Sequence, residues 1–105
     1  MESKVWGKAD VQQLIKTRSK AAINALLLVY RNQSEDERRS HRTIQNNGVG
    51  FTKFDSSLLT SFAERVSNGI SLSQAQVAVL HRMMPKYWRQ ILNDMGARGY
   101  QVTYK

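Results

Sequence analysis

The residues best placed to do chemistry in this sequence are cations. Arg82, Lys86 and Arg89 recur at intervals of four and three, which on a helix stacks them along one side. Val77, Leu80, Met84 and Trp88 fall on the opposite side. Arg38 and Arg42 are again four apart with Arg39 between them, and Lys16 and Lys20 repeat the interval earlier in the chain. Positive side chains gathered on one face suit the phosphates of nucleic acid, whose neutralisation releases condensed counterions. Solvation alone accounts for any single stripe. Several stripes in one chain, with acids concentrated at Glu35, Asp36 and Glu37, point to a phosphate-contacting surface. The overall balance agrees: 16 Lys and Arg against 8 Asp and Glu leave +8 at pH 7, with a pI near 10.2. A field of that sign draws in polyanions, nucleic acid first and acidic protein surfaces second.

Catalytic chemistry lacks its residues. There is no cysteine, so neither a thiol nucleophile nor a thiolate metal site exists. His41 and His81 stand far apart without metal-ligand spacing, and read as surface or boundary residues. The run "NGVGFTK" lacks the spacing of a phosphate-binding P-loop. Asp55, just before "SSLL", reads as a helix N-cap in preference to an acid or base. No enzyme activity, cofactor or metal is expected. The Asn-Gly-Val-Gly turn has two readings, a backbone nest for an anion or a structural turn that lets Phe51 reach the core, and the second is favoured.

The elements that must position these residues are helical. The first starts at Asp10, with Gln13 at capping-box spacing, and carries an apolar stripe from Val11 to Tyr30. Arg18 falls on that stripe, so Thr17, Arg18 and Ser19 read as a joint, with Ser19 capping a second segment. Ser34 and Glu37 predict a further helix start, and its acids-then-arginines order suits the helix dipole. Asn46, Asn47, Gly48 and Gly50 then break the helices, with Phe51 and Phe54 as apolar anchors and Gly50 suited to positive φ. The next helix buries Leu58, Leu59, Phe62, Ala63 and Val66 and ends at Asn68-Gly69. Ser73 and Gln76 cap the last long helix, which Pro85 should kink or divide. Tyr87 at the stripe's edge reads as a cover for the core before a base-stacking residue. The ending "YQVTYK" is strand-like but needs a partner.

Part of this sequence resembles a pattern found in small bacteriophage proteins and in appendages of phage and bacterial helicase-like proteins. In that pattern NG-x-GF-x-x-x-D precedes a helix of SLA type, then L[ST]-x-x-Q and KY-x-x-Q[LI]. The matching residues are Asn47, Gly48, Gly50, Phe51 and Asp55, then Ser61 and Ala63, then Leu72, Gln76, Lys86, Tyr87 and Gln90. Phe62 stands where leucine is usual, and Trp88 replaces a commonly small residue. The resemblance implies a phage origin and a DNA-transaction setting. It carries no activity or site residue with it.

The expectation is therefore an all-α single domain over 1–105, a bundle of four or five helices with a Gly-rich central loop, and 1–9 and 97–105 as flexible tails. No apolar run approaches the roughly 20 residues that span a bilayer. "MESKVWGKAD" lacks the apolar region of a signal peptide, and the lack of cysteine suits a reducing compartment. The expected location is cytoplasmic, that of the host cell if the chain is phage-encoded. The expected partner is nucleic acid. The alternative is an acidic surface on a host or phage enzyme, which the chain would dock on and modulate.

Overall fold

The computed structural model describes residues 4–40 and 50–104, the side chains of 34–40 excepted. Among these residues five α-helices follow one another: α1 (Lys8–Thr17), α2 (Ser19–Ser40), α3 (Lys53–Ser67), α4 (Gln74–Met83) and α5 (Trp88–Ala97). A 3-10 turn, Met84–Tyr87, joins the last two. Two short strands, β1 (Val5–Trp6) and β2 (Gln101–Val102), pair in parallel. The protein is a small all-α bundle, as its 3.6-residue apolar periodicity requires.

The joint at Arg18 is present. Its backbone is extended, which ends α1, and its carbonyl accepts the first bond of α2 from Ala22 N. Ser34 does not start a new helix: α2 runs through it to Ser40. No glycine or proline interrupts that stretch, and extending a helix costs less than nucleating another. Pro85, lacking a backbone donor, divides the final pattern into α4, the 3-10 turn and α5. Gln12 Nε2 fixes that turn by donating to the Pro85 carbonyl at 3.1 Å. Ser73 and Gln76 form the expected reciprocal capping box.

Two expected caps move by three residues. Helix α1 begins at Lys8 with Gly7 as N-cap, and Asp10 is its third residue, accepting from Gly7 N at 3.0 Å. Helix α3 begins at Lys53 with Thr52 as N-cap, and Asp55 is again third. An aspartate suits both positions, since the N-terminal turn favours negative charge. Sequence alone does not separate them.

The core lies where α2 meets α1, α3, α4 and α5. Val11 and Ile15 of α1, Leu26 and Val29 of α2, Leu59 of α3, Leu80 of α4 and Leu92 of α5 are all essentially sealed from solvent. Met84 is sealed as well, whereas Trp88 is half-buried at its edge. Two expected core residues are outside: Phe54 is 95% exposed and Leu58 43%. At 100° per residue Phe54 lies more than a right angle from the centre of the stripe formed by Asp55, Leu59, Phe62 and Val66. The two terminal segments, expected as tails, pair with each other over their described residues. Thr103 N donates to the Trp6 carbonyl at 2.8 Å, and Val102 packs against Gly96.

Candidate nucleic-acid interface

The centre of the sequence is bound to the start of α5 by side chains far away in the chain. Gly50 enters with φ +84, and a Cβ there would lie 2.7 Å from Cβ of Gln33. Only glycine combines that backbone with that approach. Gln90 clamps Gly50 from both sides, its Oε1 accepting from Gly50 N at 3.0 Å and its Nε2 donating to Gly50 O at 2.9 Å. Phe51 N donates to Gln33 Oε1 at 3.0 Å, and Thr52 N to the Tyr87 hydroxyl at 3.1 Å. Three consecutive backbone donors are thus consumed within the fold. Over these residues the turn is structural and offers no anion nest; 46–49 lie outside the described residues. The Phe51 ring is buried and meets Tyr87 edge-on, with centroids 5.8 Å apart.

Asp55 completes this clasp. It is buried, and its Oδ2 accepts from the Tyr87 hydroxyl at 2.6 Å and pairs with Lys86 Nζ at 2.5 Å. Burial alone would push its carboxyl up. The bonds from Lys86 and Tyr87, with the lysine charge, outweigh that and hold it below the ordinary carboxylate range. Burial pushes the Tyr87 phenol up, and its bond to the Asp55 carboxylate pushes the same way, to about 12. Tyr87 therefore covers the core and donates inward. Gly50, Phe51, Asp55, Lys86, Tyr87 and Gln90, separated by up to 40 residues, form one network.

This geometry rearranges the expected basic stripe. Arg82, Lys86 and Arg89 are all exposed, but the break at Pro85 distributes them over α4, the 3-10 turn and α5. Lys86 is not free for a phosphate, because it pairs with buried Asp55. The Arg89 guanidinium lies over the Trp88 ring at 5.2 Å, and Lys8 faces the same ring at 5.4 Å. Lys16 and Lys20 are exposed on either side of the Arg18 joint. Arg38 and Arg39 lie on the last turn of α2. Arg42 and His41 fall outside the described residues. His81 is half-buried and its Nδ1 donates to the Ile15 carbonyl at 2.7 Å, a boundary role.

Sequence reasoning passes over Gln33, Lys8 and Lys53. Gln33 carries no local signal, since its partners lie 17 and more residues on in a different element. Lys8 and Lys53 each open a helix and belong to no stripe, so spacing along one helix misses them. Among the described residues no group of three or more His, Asp or Glu could hold a metal ion, and no helix is long and apolar enough to cross a membrane. No family model matches the chain, no curated protein matches it and no solved structure matches it.

Proposed function

We propose that this chain is a non-enzymatic, basic helical module that binds nucleic acid, as an accessory in phage replication, recombination or host takeover. The observation that carries the binding is the imbalance of charge on the described surface. Asp10, Asp55 and Asp94 are each paired with a cation, Lys4, Lys86 and Arg98 in turn. Lys8, Lys16, Lys20, Lys53, Arg82 and Arg89 are exposed and form no ion pair with a described residue. Unneutralised cations of this kind are the electrostatic footprint of phosphate binding. The phage setting rests on the sequence resemblance.

One feature favours the second reading, docking on an acidic protein surface. An open groove of about 570 Å³ lies among α1, α2 and α5, lined by Trp6, Leu14, Leu27, Leu28, Ile91 and Met95, with Arg31 and Arg98. The two readings separate by salt. Binding through phosphates falls steeply as salt rises, whereas an interface built on apolar contacts survives moderate salt. A pull-down with the purified protein, with and without nuclease and over a salt series, tests the proposal. Nucleic acid should co-purify at low salt and be lost with nuclease. A nuclease-resistant, salt-tolerant protein partner with no bound nucleic acid would replace the first reading with the second.

A further inference from the structure

We infer that the exposed ring of Phe54 is a stacking platform for an unpaired base, so that the preferred ligand is a single strand; this rests on the nucleic-acid reading above. Phe54 is 95% exposed although Phe51 and Asp55 on either side are buried. Its position is fixed, because the turn that carries it is held at Thr52 by the Tyr87 hydroxyl and at Asp55 by Lys86 and Tyr87. An exposed aromatic ring on a fixed stretch of backbone is a surface on which any base can stack.

The charges around it select the occupant. Lys53 beside it is exposed and forms no ion pair with a described residue, whereas the charge of Lys86 on the same turn is taken up by Asp55. The acid of that turn, Asp55, is buried and neutralised, so it presents no repulsion to a phosphate. One turn on, Leu58 adds apolar surface on the same side, but exposed Ser57 and Ser61 interrupt it. That leaves a small apolar spot beside an unpaired lysine, with no unneutralised acid on the same turn, which suits a base with its flanking phosphate better than a protein side-chain cluster. A duplex keeps its bases stacked on one another and offers no free face to the ring, whereas a single strand does.

The test is fluorescence anisotropy with labelled single- and double-stranded oligonucleotides of equal length at one salt concentration. The proteins are the parent, Phe54→Ala, Phe54→Leu and Phe54→Trp, with thermal unfolding followed in parallel. The parent should prefer the single strand. Phe54→Ala and Phe54→Leu should each lose on the order of ten-fold in single-strand affinity, with duplex affinity unchanged, and Phe54→Trp should retain it. Unfolding midpoints should stay together, since the ring is in solvent. Full single-strand affinity in Phe54→Ala overturns the inference and leaves the nucleic-acid reading standing. Full affinity in Phe54→Leu overturns stacking in favour of plain apolar contact. Failure of the parent to bind either oligonucleotide ends both and leaves this face to a protein.

Discussion

Asp10 and Asp55 hold the same place in their helices, the third residue, and do opposite things. Asp10 turns back to Gly7 N and meets Lys4 at 3.6 Å with its carboxylate 40% exposed. Its partners all lie within six residues of it. Asp55 keeps a lesser bond to Thr52, its own N-cap, but its main partners are Tyr87 and Lys86, more than 30 residues away. One carboxylate tidies a helix end and the other joins two halves of the chain. The difference lies in what stands opposite. Helix α1 opens beside the terminal strands and solvent, whereas α3 opens against the 3-10 turn that Pro85 creates. If this comparison is right, perturbing the start of α3 should disturb the whole fold, and perturbing the start of α1 should not.

The largest effect should come from Phe51→Ala, because it removes the ring that the clasp buries against Tyr87. A loss of about 3–5 kcal/mol in denaturant unfolding is expected. A neutral outcome would mean that the clasp anchors nothing. Gly50→Ala comes next, at about 1–3 kcal/mol from the positive φ, with the Gln33 contact adding to it. Asp55→Ala should cost about 2 kcal/mol, chiefly from leaving the buried Tyr87 hydroxyl without its acceptor. The half-exposed Lys86 ammonium contributes little to that figure because water screens it. Asp10→Ala should cost about 0.5 kcal/mol, a local helix-end effect. Equal costs at the two aspartates would erase the distinction between them.

Those costs show which parts of the fold are legible in the sequence. The helices apart from the false start at Ser34, the joint at Arg18, the division at Pro85, the positive φ of Gly50 and the burial of Phe51 all follow from local patterns. Each depends on one residue's backbone or on the spacing along one helix. The two aspartates are misread because an N-cap and a third-position acid have the same local chemistry, and only the partner across space tells them apart. Gln33 is invisible for the same reason, and Gln90 stands out only through the sequence resemblance: an amide at the edge of a helical stripe looks like a solvated residue until Gly50 is placed between them. Phe54 is misread on residue type alone, when its angle on the α3 wheel already sets it outside. Of the candidate interface, the cations are legible as charges but not as one surface. Lys86 serves the clasp, and Lys8 and Lys53 come from the first residues of two other helices.

A smaller effect is expected on the alkaline side. The folded Tyr87 phenol titrates near 12, above its ordinary value of 10.0. Its contribution to stability is therefore complete below pH 10 and is lost as pH rises towards 12. Tyr87→Phe should flatten that part of the stability profile relative to the parent, and a phenolate absorbance titration should show one tyrosine ionising late. Asp55 has the opposite sign. Its folded carboxyl is held low, so its contribution is complete above the ordinary carboxylate range and is lost as the pH falls through the folded value.

On the function proposed here some cations are spent on the fold and the unpaired ones serve a polyanion, and the salt dependence of binding tests that division most directly. Lys86 belongs to the first group and is left in place. Arg82→Gln with Arg89→Gln removes two exposed charges from the second at little cost in helix propensity. The measurement is oligonucleotide affinity for parent and double variant across a salt series, with unfolding midpoints alongside. The predicted result is unchanged stability and a slope of log affinity against log salt that is shallower by up to about two units on duplex DNA, roughly one for each phosphate no longer neutralised. A parent that binds no nucleic acid at low salt, or a double variant with the parent's slope, would contradict it.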